Sequence, residues 1–279
     1  TNEDVLIISD YGSGQNILSS MMGYGYYYAA KQRGLNANLL LQEPKKGFMQ
    51  TDNNVVKGLE RLEKKNIVVL AVSNKLGRFG ETKSFRGFCK DQGHRFISST
   101  GLGDVKSSYF ELFIEAMSVN YTRMRRRGLV IKKKWDKAST ITVKTDAGTD
   151  VTFNVEGKES ISNVGDYDEN GKGGNMPCGE VFIPPKGFEG VEGTVVIDAS
   201  MKTDNGALLV EEPLTLVVKK GMVTEMIGKN AKLLQSTIKK FQYRAKYPER
   251  VKMIGELGIG INPGAVIIGS MIMDEKVMG

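Results

Sequence analysis

Val5-Leu6-Ile7-Ile8-Ser9-Asp10-Tyr11-Gly12-Ser13-Gly14 joins a short apolar run to a glycine-rich break. The run reads as a strand, and the break leads into a helix predicted from about Asn16 to Lys31, with Gly34 placed as its C-terminal cap. The same alternation continues outward. Leu39-Leu40-Leu41 makes a second strand closed by Pro44, and Val55, Val56, Leu59 and Leu62 sit at helical spacing. Ile67 to Val72 reads as a buried strand, Phe96-Ile97 as a fourth, and Phe110, Phe113, Ile114 and Met117 mark one face of a helix. Repeated strand–helix alternation predicts a parallel sheet covered by helices on both faces, a Rossmann-like open α/β domain. Gly12-Ser13-Gly14 stands where a phosphate could be cradled. It lacks the G-x-G-x-x-G spacing and no Lys-Ser/Thr pair follows, so it reads as a turn at the sheet edge.

From about residue 136 the pattern changes. Ile141 to Thr145 and Thr149 to Val155 alternate with period two around Asp146-Ala147-Gly148, which predicts a hairpin. Gly193 to Ile197 and Leu214 to Val218 read as further strands, and Lys220-Gly221 as a turn into Met222-Val223-Thr224. A helix from Asn230 carries Leu234, Ile238, Phe241 and Ala245 on one stripe, before Pro248. The predicted organisation is α/β: a Rossmann-like open parallel sheet over residues 1–130, then an α+β domain with mainly antiparallel strands over residues 136–279.

Composition narrows the classes. With 40% hydrophobic and 25% charged residues this is an ordinary globular chain, and its apolar runs fall short of a membrane span. Thr1-Asn2-Glu3-Asp4 is polar and acidic, unlike a signal peptide. Two cysteines, Cys89 and Cys178, cannot build a disulfide framework. A cytoplasmic protein without membrane attachment is the expectation. Basic residues exceed acidic ones by 39 − 32 = +7, concentrated in Arg123 to Arg127 and Lys132 to Lys134. Without interleaved aromatics, that run reads as a solvated helix end followed by a charged connector, and nucleic acid is not an expected partner.

The chemistry concentrates in Asn175-Met176-Pro177-Cys178-Gly179-Glu180-Val181-Phe182 and in Gly255-Glu256-Leu257-Gly258-Ile259-Gly260-Ile261-Asn262-Pro263. Each presents a glutamate beside glycine on ordered backbone, as a hard metal ion or a general base requires, so Glu180 and Glu256 are candidate ligands of a carboxylate-based centre. Turn capping is the plainer reading of each. His94, the sole histidine, lies in a polar lead-in to a strand and cannot make a zinc site alone. Cys178 lacks a base partner for nucleophilic work. The stretch 163–174, with Asp166, Asp168 and Glu169, only loosely follows a calcium loop and reads as a flexible acidic loop.

Val143 to Phe153, Asn175 to Phe182, Gly193 to Val196, and Gly255-Glu256 through Asp274-Glu275, in that order and rough spacing, resemble the thermophilic leucyl aminopeptidase family (aminopeptidase T and aminopeptidase S) over about residues 136–279. The resemblance implies a metal-dependent exopeptidase releasing leucine-like N-terminal residues from a peptide substrate. It further implies two divalent ions, zinc or cobalt, in a cytoplasmic homodimer, with Glu180 and Glu256 matching the family's two metal-binding glutamates. The family's histidine, aspartate and tyrosine residues follow the block matched by Asp274-Glu275, and this sequence ends at Gly279. The expectation is a further C-terminal segment in the native protein. Two alternatives stand beside the peptidase: an iron-dependent dihydroxypyridine ring-cleaving dioxygenase of similar scaffold, and a non-catalytic binding relative lacking the histidines.

Overall fold

Alternate residues of strand β1 (Asp4–Asp10) reach two different cores, which explains why Val5 to Ile8 contains no polar member. Val5 and Ile7 lie with Ala30, Ala37 and Val69 on one face; Leu6 and Ile8 lie with Val55, Leu59, Val68 and Leu70 on the other. A parallel strand covered on both faces has this composition. The computed structural model describes residues 3–12, 14, 16–80 and 84–279. Thr1–Val119 with Gly165–Cys178 form one compact unit, and Asn120–Val164 with Gly179–Gly279 form another.

After β1 come α1 (Leu18–Gln32), β2 (Asn36–Gln42), α2 (Asn53–Arg61) and β3 (Ile67–Ala71). They are followed by α3 (Phe85–Gln92), β4 (Arg95–Ser99) and α4 (Phe110–Met117). The Ser84 hydroxyl accepts from the Gly87 amide to start α3, and Gly93 ends it in the left-handed conformation at φ 68°. The chain then supplies α5 (Tyr121–Trp135), β5 (Thr140–Lys144), β6 (Asp150–Asn154) and β7 (Ile161–Asn163) to the second unit. It returns to the first unit as β8 (Gly173–Asn175), parallel to β4. The sheet order is β2-β1-β3-β4-β8, with every neighbouring pair parallel.

The segment expected to be an acidic loop therefore ends in a strand. Its residues Gly173 and Gly174 have no side chain to show a pattern; a Cβ on Gly173 would stand 2.2 Å from the Phe96 carbonyl oxygen. A second departure is α5. The basic run expected to pass from helix end to connector is one uninterrupted helix from Tyr121 to Trp135, capped by the Asn120 side chain accepting from the Arg123 amide. Lys132, Lys133 and Lys134 fall in its last turn, where the helix dipole favours cations.

The second unit continues with β9 (Glu180–Ile183), β10 (Val191–Ile197), β11 (Ser200–Thr203), β12 (Gly206–Leu209), β13 (Leu214–Lys219) and β14 (Met222–Ile227). Helix α6 (Ala231–Arg244), β15 (Leu257–Gly260) and the short α7 (Met271–Asp274) complete it. Strands β14-β13-β10-β6-β5 form an antiparallel sheet, β15-β9-β7 a second and β11-β12 a third. The hairpin at Gly148 closes through the Gly148 amide to the Thr145 carbonyl at 3.0 Å. Val151, Phe153, Ile183, Val191, Leu214, Leu216 and Val218 are buried in one core, with Trp135 and Leu234 packed on it. The architecture is thus α/β, a five-stranded parallel sheet in one unit and antiparallel sheets in the other.

Candidate functional site

Strand β9 opens at Glu180 and pairs antiparallel with β15 so that Glu180 faces Gly260 and Ile183 faces Leu257. Directly opposed residues project to the same side of a sheet, and alternate residues of one strand share that side. Glu180, Gly260, Gly258 and, one step before the strand, Glu256 therefore stand on a common face. Backbone approach requires glycine at Gly260, and Gly258 leaves room for the Glu180 carboxylate. A Cβ on Gly258 would lie 2.8 Å from Glu180 Oε1, and one on Gly260 would lie 2.0 Å from the Val277 carbonyl oxygen. The chain after α7 runs back along this face, with the Asn262 amide donating to the Lys276 carbonyl at 2.9 Å.

Lys276 is the residue that the sequence reading missed. Its side chain is fully buried, and its ammonium donates to Glu180 Oε2 and to Glu275 Oε1, each at 2.6 Å. Nothing local marks which of many lysines is buried, but alternating glycines in Gly258-Ile259-Gly260 were a visible sign of close approach. Burial is the largest influence on Glu180 and holds its carboxyl above the ordinary range; Lys276 pulls it down, while the charges of Glu275 and Glu256 push it up. Glu256 is thus close enough to be felt at Glu180, yet it is exposed. Asp274 is also buried: one oxygen accepts from the Ile268 amide at 2.8 Å, and the other has no partner among the described residues.

Beside Gly255 a cavity of about 340 Å³ is lined by Lys158, Pro184, Pro185, Phe188, Arg250 and Met253. The Arg250 guanidinium stacks 4.4 Å from the Phe188 ring and 4.3 Å from the Tyr247 ring. Flat apolar walls with cations at the rim suit a planar, electron-rich ring.

The other sequence candidates have structural roles. His94 is buried in the first unit and its Nδ1 accepts from the Asn66 amide at 3.1 Å. Burial lowers its pKa, so it is a neutral core residue. Cys89 and Cys178 are buried thiols, and burial pushes Cys89 up to about 12. At Gly12 the turn amide donates to Asp10 Oδ1 at 3.1 Å, and the Ser73 amide donates to Asp10 Oδ2 at 2.7 Å. Those amides serve a buried carboxylate of the fold rather than a phosphate; Ser13 lies outside the described residues.

Glu180 and Glu256 do not by themselves make a metal centre. Among the described residues no three His, Cys, Asp or Glu side chains group closely enough to hold an ion, and Glu180 is already engaged by an ammonium. Nor does any helix of the described residues have the length and apolarity to cross a membrane.

The family described as 2,5-dihydroxypyridine 5,6-dioxygenase matches residues 113–277, from within α4 through Val277. The solved structure of 2,5-dihydroxypyridine dioxygenase from Pseudomonas putida KT2440 shares the fold, with a TM-score of 0.71 at 18% identity over 99% of this chain and 78% of that one. No curated protein matches the chain. These findings overturn the aminopeptidase T and S assignment, and with it the reading as a hydrolase releasing N-terminal residues. The blocks around Glu180 and Glu256 lie within the matched residues 113–277, so they go with the dioxygenase family. A metal requirement stands with the matched family, while a zinc or cobalt pair has no support. With more than half of its length matched, the chain belongs to the 2,5-dihydroxypyridine 5,6-dioxygenase family.

Proposed function

We propose that this protein opens the ring of a dihydroxypyridine with dioxygen, as the stated oxygenase alternative requires, and that iron is its metal. The family match over residues 113–277 carries the reading. Such a reaction breaks the bond between ring carbons 5 and 6 and places one atom of dioxygen on each carbon, so both oxygen atoms enter the product. The cavity beside Gly255 supports it: its flat lining and the Arg250–Phe188 stack suit a planar heteroaromatic ring.

Of the two candidate carboxylates, Glu256 is the one available to the chemistry. It is exposed, while Glu180 is committed to Lys276. Glu256 follows the cavity-lining Gly255, and its carboxylate can accept a hydrogen bond from a ring hydroxyl and take up its proton. Glu180 lies opposite Gly260 on the strand that follows Glu256, and Lys276 holds Glu180 in place.

The test is oxygen uptake and loss of 2,5-dihydroxypyridine by the protein loaded with Fe(II), with mass spectrometry under ¹⁸O₂. Two labelled atoms per product molecule are expected. Substrate-independent oxygen uptake, or none from a sample shown to hold iron, overturns the assignment. Glu256→Gln should lower kcat/KM by about 10²-fold, the lower range for loss of a positioned acid–base group, and Glu180→Gln by much less.

A further inference from the structure

We propose that the carboxyl edge of the parallel sheet carries a second binding site, for a small organic oxyanion held between Lys75 and Arg86. A cavity of about 340 Å³ opens there, at the C-terminal ends of β3, β4 and β8. Open parallel sheets bind ligands outside the carboxyl ends of their strands, where loops converge and amides of following helices point outward. The crevice between β1 and β3, the usual place in this strand order, is filled by Asp10 and the donors it engages. The neighbouring cavity is open.

Its polar lining is one-sided. Lys75 and Arg86 are exposed cations, Ser84, Ser98 and Thr100 add hydroxyls, and among the described residues no carboxylate lines the space. Lys75 has no ion-pair partner among the described residues. The Arg86 guanidinium and the Ser98 hydroxyl both donate to Asn175 Oδ1, the latter at 3.2 Å. With its carbonyl so engaged, the Asn175 amide keeps its NH₂ group as a further donor. Asn175 opens the Asn-x-Pro-x-Gly-Glu block, whose glutamate belongs to the second unit. Its own side chain has its place here.

The remaining lining decides the ligand class. Leu70 and Leu76 are buried at the base and Phe85 stands beside them, giving an apolar seat below a cationic rim. A volume near 340 Å³ is at the small end of ligand sites. A carboxylate or phosphate group on a short organic body satisfies both parts, with the oxyanion between two cations and beside the first-turn amides of α3. Fork-shaped Arg86 engages two oxygens, and Lys75 adds charge.

The experiment titrates the full chain at low ionic strength with inorganic phosphate, followed by ³¹P NMR, and with maleate, followed by calorimetry. Saturable binding of either supports the site: phosphate alone marks a phosphate ester as the ligand class, maleate alone a carboxylate. Lys75→Gln and Arg86→Gln should each weaken binding about tenfold, the effect of one charge-assisted contact. Arg86→Lys keeps the charge but loses the two-pronged contact, so it should weaken binding, though less than Arg86→Gln does. Arg61→Gln, at the end of α2 and so toward the opposite edge of the sheet, should change nothing. Equal thermal unfolding temperatures establish that the variants are folded. No saturable binding of either anion, or binding indifferent to both glutamine variants, overturns the proposal.

Discussion

Replacing Lys276 with methionine should destabilise the second unit by about 3–5 kcal/mol at pH 8, the range for removing one partner of a buried ion pair. Methionine keeps the length and apolar stem of lysine and removes only the charge, so packing changes little. The loss falls unevenly on the two carboxylates. Glu275 is 41% exposed and regains water, whereas Glu180 is 11% exposed and cannot. At 2.6 Å and an effective dielectric near 20, the lost attraction is about 6 kcal/mol, which sets an upper scale. The reverse variant, Glu180→Gln, leaves Lys276 still bonded to Glu275 and should therefore be milder. Combining both removes charge from each side and should recover at least half of the single-variant loss.

The pH dependence has a definite sign. Glu180 titrates above its ordinary value in the folded state because of burial, and losing Lys276 raises it further. Between the unfolded and folded pKa values the folded state binds more protons, so the variant becomes less stable as pH rises through that window. The gap to wild type should narrow on going from pH 8 toward pH 5. Urea unfolding in the presence of chelator, read by Trp135, is the assay. Trp135 is the sole tryptophan and packs on the core of the second unit, so its signal reports that unit. A loss below about 1 kcal/mol, or a double variant no better than Lys276→Met, would refute the buried-pair reasoning.

Three further outcomes follow from the geometry. Gly260→Ala drives a Cβ into the Val277 carbonyl at 2.0 Å and should cost about 1–3 kcal/mol, seen as a lower urea midpoint with Trp135 as the probe. In the first unit the Lys45 ammonium holds the Asp52 carboxyl below its usual range; its contribution is present above the unfolded pKa and is lost as pH falls through the folded one. Asp52→Asn should therefore flatten acid unfolding of that unit, measured by amide exchange over α2. Finally, both thiols should resist a thiol-reactive dye in the native protein at pH 8 and react only as it unfolds, because Cys89 is pushed up to about 12 and Cys178 is buried. Fast native labelling would contradict this.

Hydrophobic periodicity made most of the scaffold legible. The strands at Val5, Leu39, Ile67 and Phe96 and the helices over residues 18–32, 110–117 and 231–244 announce themselves because their buried faces repeat at period two or near 3.6. The hairpin at Gly148 and the turn at Lys220-Gly221 are legible for a different reason, since positive φ values select those residues. What escaped depends on backbone and distance. Strand β8 is held by its ladder to β4 rather than by side chains, and α3 is short, with a glycine in its first turn. In the candidate site, Glu180 and Glu256 could be picked out but not their partner, because Lys276 is 96 residues from Glu180 and its burial is a tertiary fact. The chemistry was misassigned because the quoted blocks carry strands and turns rather than a reacting group, and the match over residues 113–277 corrects it.

Strand β8 has a consequence for how this protein can be cut and made. The chain passes from one unit to the other three times, after residues 119, 164 and 178. A gene fragment stopped at residue 119 would encode four strands of the parallel sheet and leave β4 as a bare margin, the amides and carbonyls of Phe96 to Ser98 open to any passing strand. A fragment begun at residue 120 would carry the missing strand inside it, in a loop foreign to its own fold. During synthesis, the nascent sheet stays unfinished until some 75 residues beyond β4 have left the ribosome. The two units are an interleaved pair that neither a single protease nick nor a single cloning boundary can separate into whole parts.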